Sequence, residues 1–209
     1  MELIQALKST VAILAIVNPL GAAPIFLNLM GPRPAAETQR TARVAALTVA
    51  VALIVSAWAG EAIFELFSIR LASFRVGGGI LVMIVAISML NAKTPASRTS
   101  KEEEAEARER ENVAVVPLGI PLMAGPGAIS LIIVQSQNLP TIQDKLLLNA
   151  EIAVVAVLAW LALRSAEPVM RSLGATGVNV LVRLMGLILA AVAVEMIAAG
   201  AIELFPGLA

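Results

Sequence analysis

Two prolines five residues apart stand inside a stretch apolar enough to cross a membrane, and the arrangement occurs twice. The first copy is Asn18-Pro19-Leu20-Gly21-Ala22-Ala23-Pro24 and the second is Pro121-Leu122-Met123-Ala124-Gly125-Pro126, displaced by 102 residues. Proline has no amide hydrogen, and its ring collides with the carbonyl four residues back, so each one costs a helix interior ~3 kcal/mol. In hydrocarbon the freed backbone groups cannot turn to water. Broken helices persist there only where they line a cavity or pack against protein. Two interrupted membrane helices, acting either as the walls of a site or as simple kinks, are therefore the first expectation.

Composition places the chain in the membrane. Of its 209 residues 59% are hydrophobic and 14% charged, with a mean hydropathy of +0.89, against ~45–50% apolar residues in soluble domains. Lys+Arg and Asp+Glu are equal at 15 each, so there is no basic surface for a nucleic-acid partner. Histidine and cysteine are both absent, which removes serine–histidine dyads, thiolate nucleophiles, disulfides and nitrogen or sulfur metal sites. Asp144 is the only aspartate, so a paired-aspartate protease is excluded. No enzyme, metal or cofactor is expected. The first ten residues read as the start of an uncleaved first span.

A membrane span needs ~20 largely apolar residues, and six segments qualify: about 11–30, 44–67, 71–90, 113–135, 146–163 and 178–202. The predicted fold is an all-α polytopic membrane protein with broken helices one and four. Residues 1–91 form a first three-helix repeat, 92–112 a charged loop, and 113–209 a second repeat. The loop carries Lys101-Glu102-Glu103-Glu104 and reads as a solvated run of mixed charge. Loops after spans one, three and five hold ten of the lysines and arginines, and the opposite ends hold four. Positive residues favour the cytoplasm, so both termini are expected outside it.

The shift of 102 also pairs Trp58 with Trp160 and Glu65 with Glu167, and a shift of 108 pairs Arg75 with Arg183. Each half holds an odd number of spans, so the second is expected to be inverted relative to the first. Inverted repeats with interrupted helices at matching positions point to a transporter site near the bilayer midplane.

On Asn18-Pro19-Leu20-Gly21 with Pro24-Ile25-Phe26, and Pro121 to Ile129 in the second half, the chain resembles the MarC family of bacterial inner-membrane proteins. The resemblance covers nearly its whole length. It implies an inner-membrane location and transport of small neutral amino acids such as glycine and alanine.

The residues suggest the same substrate class by another route. An interrupted helix exposes amide hydrogens at the start of one half and carbonyls at the end of the other, about half a charge of each sign, and a zwitterion complements both. Amides near Ala22 to Ile25 and Gly125 to Ala128 are expected to receive a carboxylate. Carbonyls near Asn18 and Pro121 would receive an ammonium group. The expected substrate-binding set is Asn18, Pro19, Gly21, Ala22, Ala23 and Pro24 with Pro121, Ala124, Gly125, Pro126, Gly127 and Ala128. The small side chains in it would serve either ligand approach or helix packing. Asn18, Glu61 and Glu195 break the internal register, facing Ile120, Leu163 and Ile87. Asn18 is the best side-chain ligand. Glu195 is either a proton-coupling acid or an acid reaching interfacial water. Two ion pairs, Glu65 with Arg75 and Glu167 with Arg183, are expected, as structural ties or as gates. A channel or exporter for other small molecules, or a membrane interaction protein, are the alternatives; the former lacks a ring of charges for a filter, and the latter has no need of broken helices. The oligomeric state is not legible.

Overall fold

The computed structural model describes residues 3–31, 33–91, 114–205 and 207, and every regular element among them is helical. The charged segment expected over 92–112 lies outside the described residues. The first apolar stretch forms α1 (Leu3–Val17) and α2 (Pro19–Met30), joined at Asn18. Asn18 takes a left-handed conformation at φ 45°, ψ 59°. Its N–H still donates to Leu14 O at 2.9 Å, and its carbonyl still accepts from Ala22 N–H at 3.1 Å. The axis therefore bends with most of the ladder intact. A double break was expected here, and only the first half of it occurs. Pro24 sits inside α2, where packed neighbours let a membrane helix absorb a proline.

The second stretch begins nine residues earlier than expected, because α3 runs over Ala35–Phe67 directly after Pro34. At 1.5 Å per residue its 33 residues reach ~50 Å, more than the ~30 Å of hydrocarbon, so its ends project. It stops at Ser68, which is left-handed at φ 51°. Next comes α4 (Leu71–Leu90). The segment expected as a fourth span is a π-helix (Ala114–Met123) followed, after Ala124 and Gly125, by α5 (Pro126–Gln137). Its widened turn is seen where Ala124 N–H donates to Gly119 O at 2.8 Å, a five-residue step. Pro117 and Pro121 both fall in this segment, and neither can supply the amide hydrogen that a regular α-turn needs. Then α6 (Ile142–Arg164) starts on a Thr141 side-chain cap, and α7 (Ala166–Leu204) bends at Gly174, φ 63°, within the Gly174–Gly177 stretch expected to separate spans five and six.

Five helical stretches among the described residues are long and apolar enough to cross a membrane: Ile4–Met30, Ala35–Gly60, Leu71–Leu90, Ile142–Arg164 and Ala166–Leu204. Each piece of the interrupted segment is too short alone. Leu47, Val51 and Val55 lie exposed at four-residue spacing along α3, an apolar stripe that a bilayer solvates and water would not.

The closest pairing is antiparallel, α4 against α7. A Cβ on Gly79 would lie 3.0 Å from Ala193 O, one on Gly200 2.6 Å from Ala72 O, and one on Gly186 3.2 Å from Ala86 O. Glycine at these places lets the two backbones meet. The interrupted elements run through the middle of the bundle, where Ile13, Phe26, Leu118 and Ile132 are fully enclosed.

Candidate functional site

At the first interruption the Asn18 side chain turns back on its own helix. Its Oδ1 accepts from Gly21 N–H at 3.1 Å, capping α2, so a backbone donor orphaned at the start of the new helix is used locally. Gly21 is required by this cap, since any Cβ there would collide with the Asn18 side chain. In this conformation the Asn18 acceptor is engaged in that cap, and the residue is only 8% exposed. Ala22 and Ala23 are buried in the core, and the amides over Ala22 to Ile25 lie within a continuous helix. Asn18 and Pro19 border a cavity of about 280 Å³ whose other walls include Leu14, Leu158, Leu181 and Met185, an apolar surround poorly suited to a zwitterion.

The second interruption keeps more of its donors open. Gly125 is extended (φ −79°, ψ 176°) with no side-chain cap, and Pro126 opens α5. The first helical bond is Ile129 N–H to Gly125 O at 3.1 Å, leaving the Gly127 and Ala128 amides at the head of the helix without backbone partners among the described residues. This helix head points into packed protein. A Cβ on Gly127 would lie 3.2 Å from Ile16 Cδ1 and 3.4 Å from Val85 Cγ2, and Ala124 and Ala128 are buried. Ile16 lies two residues before Asn18, so the interruptions of the two halves sit side by side. In this conformation side chains close the approach to them.

A polar cleft that sequence reasoning missed opens at the other ends of α1 and α5, away from the interruptions. Its volume is about 250 Å³, and its walls include Gln5, Lys8 and Ser9 of α1, Gln135 and Asn138 at the end of α5, and Glu195 of α7. Glu195 is exposed there. Next to the cleft Glu151 of α6 is 5% exposed. Ser9 Oγ donates to its Oε2 and also lies 3.4 Å from Gln135 Oε1, while Glu151 Oε1 is buried without a partner. A signal existed for it. The 102-residue register sets Glu151 against Val49, the same break of symmetry that singles out Asn18 and Glu195.

The expected ion pairs are replaced by others. Arg75 binds Glu203 at 2.8 Å and also reaches Asn138 Oδ1, because antiparallel packing brings the end of α7 to the start of α4, whereas Glu65 lies exposed at the end of α3. Glu167 pairs with Arg171 one turn along its own helix at 2.7 Å. Arg183 lies about 24 Å further along α7 by helical rise, and it is exposed.

The model of MarC family integral membrane proteins matches residues 3–205. The chain is 40% identical to the membrane protein YhcE of Escherichia coli (strain K12) over 96% of its own length and 94% of that protein. It is 38% identical to YvbG of Bacillus subtilis (strain 168), covering 94% and 93%. With the inner membrane protein MarC of Escherichia coli O1:K1 / APEC it shares 33% identity over 93% and 92%. No solved structure matches the chain.

Proposed function

The chain belongs to the MarC family of integral membrane proteins, and from that premise we propose that it is a secondary transporter of small neutral amino acids of the glycine and alanine class, working by alternating access in the inner membrane. The observation that carries this reading is the adjacency of the two interruptions, with Gly127 of one half against Ile16 beside Asn18 of the other. A helix head with open amides at Gly127 and Ala128 suits a carboxylate. Small residues at Ala124, Gly125 and Ala128 limit the substrate to a small side chain. Movement of Ile16 and Val85 away from Gly127 would open the approach, so this conformation is the closed one of the cycle.

Six crossings in two inverted repeats complete the proposal, with the π-helix and α5 together as the interrupted fourth crossing and both termini outside the cytoplasm. Antiparallel packing of α4 and α7, the third helices of the two halves, supports it, because inversion requires that relation. The polar cleft is the outer entrance. Protons reach the site through it, carried by Glu195 on its wall or by the neighbouring Glu151, since intramembrane acids are commonly functional.

Uptake of labelled glycine into proteoliposomes, with and without an imposed proton gradient, tests the reading. Saturable uptake that accumulates glycine only under the gradient is expected. Flux that never exceeds equilibration would make the protein a passive pore, and no flux would leave an interaction role.

A further inference from the structure

The two register-matched tryptophans do not have matching surroundings. Trp58 of α3 donates its N–H to Asn149 Oδ1 at 3.3 Å, and Lys145 Nζ stands 5.8 Å from its ring centre. Counting back 102 residues sets Leu47 at the place of Asn149 and Arg43 at the place of Lys145. Leu47 has no acceptor to offer. Consistent with that, the N–H of Trp160 is buried without a partner, although a buried donor left unpaired is costly. A cation is nonetheless kept over the ring, with Arg164 5.4 Å from its centre.

Trp160, Arg164 and Arg43 border one groove of about 500 Å³ between α3 and α6. Its long wall is made of Ala46 and Ala50 facing Ala153 and Ala156, and the exposed Leu47 and Val157 form its lips toward the surrounding lipid. Among the described residues neither arginine has a carboxylate partner. From Arg43 to Ala50, and from Arg164 back to Val157, is seven residues, so the apolar wall runs ~10 Å from the two guanidinium groups toward the bilayer centre. One end is doubly cationic and the shaft is apolar. That profile matches a molecule with an anionic head and a hydrocarbon tail, and it does not match a small zwitterion, which would leave the shaft empty.

We propose that this groove is a binding site for an anionic phospholipid, with the phosphate held between Arg43 and Arg164 and one acyl chain laid along the alanine wall. The planar fork of arginine suits phosphate oxygens, and basic pockets between membrane helices take anionic headgroups. Stacking on Trp160 holds the Arg164 guanidinium in place before the lipid arrives. The site is independent of transport.

The test uses the full chain in a neutral detergent, stripped of lipid, with native mass spectrometry and thermal denaturation during addition of dioleoyl phosphatidylglycerol, dioleoyl phosphatidylcholine or inorganic phosphate. Phosphatidylglycerol is expected to remain bound and to raise the melting temperature, while phosphatidylcholine and phosphate do neither. Arg43→Gln and Arg164→Gln should each weaken the lipid about tenfold; glutamine keeps most of the side-chain length, so folding is preserved. Lys145→Ala, altering the matching site at Trp58, should leave it unchanged. Equal effects of phosphatidylcholine, a shift reproduced by phosphate alone, retention in both arginine variants, or an equal loss in Lys145→Ala would each overturn the assignment.

Discussion

The Ser9 hydroxyl of α1 donates a hydrogen bond to the buried carboxylate of Glu151 in α6. Glu151 stands nine residues beyond the first residue of its helix, with Leu148, Ile152 and Val155 of the same helix in the core. Gln135 of α5 lies within reach of the same hydroxyl. Three helices thus meet at Ser9, and the acid it binds keeps an unpartnered oxygen beside the cleft that carries Lys8 and Glu195.

If Ser9 supplies that carboxyl group with its donor, Ser9→Ala should destabilise the protein by ~1–3 kcal/mol. Adding Glu151→Val, which restores the residue type found at Val49, should recover most of the loss because no polar group is then left stranded. Thermal denaturation of the single and double variants in detergent measures this coupling. Strictly additive losses would show that the pair does not interact.

The left-handed turn at Asn18 makes a second coupled pair. Gly21→Ala should be destabilising because the new Cβ meets the capping side chain. In an Asn18→Gly background the same change should cost much less. Asn18→Gly alone should cost only a few tenths of a kcal/mol, and Asn18→Ala about 1 kcal/mol, since alanine neither caps nor favours positive φ. A full-sized Gly21→Ala effect in both backgrounds would place the clash elsewhere.

Glycine binding should respond differently at the two interruptions. Gly125→Val should weaken it tenfold or more by filling the approach to the α5 amides, an effect of ~1–3 kcal/mol. Pro24→Ala should leave it unchanged, because Pro24 lies within a continuous α2. Isothermal titration with glycine, alanine, leucine and glutamate separates these outcomes. Unchanged affinity in Gly125→Val would reduce both interruptions to kinks.

Arg75 should prove coupled to Glu203 and indifferent to Glu65. Glu203 is half exposed at 50%, so solvent screens the pair and the expected coupling is below ~1 kcal/mol. A double-mutant cycle on melting temperature checks it. Coupling to Glu65 of similar size would restore the pairing expected from sequence.

The absence of cysteine makes topology directly measurable. Single cysteines at Gln5 and Gly207 should both react with an impermeant maleimide from outside intact cells, and one at Arg171 should not. Labelling of Gln5 and Gly207 from opposite sides would remove the sixth crossing.

How much was legible follows from the range of each interaction. Long apolar stretches and the interruptions at Asn18 and near Gly125 express local rules: hydropathy and missing proline donors. These hold whatever the neighbours are. Tertiary structure alone decided what depends on which helices meet. It assigned Asn18 to its own helix as a cap, because the nearest free donor was the Gly21 amide. It kept Pro24 helical through packing, and it gave Arg75 to Glu203 because an antiparallel neighbour carried that acid closer than Glu65. The Glu151 cluster joins residues 126 and 142 positions from Ser9, and no periodicity links them. A buried carboxyl group takes its partner from whatever three-dimensional packing brings within reach, and that choice is not written in any single stretch of the chain.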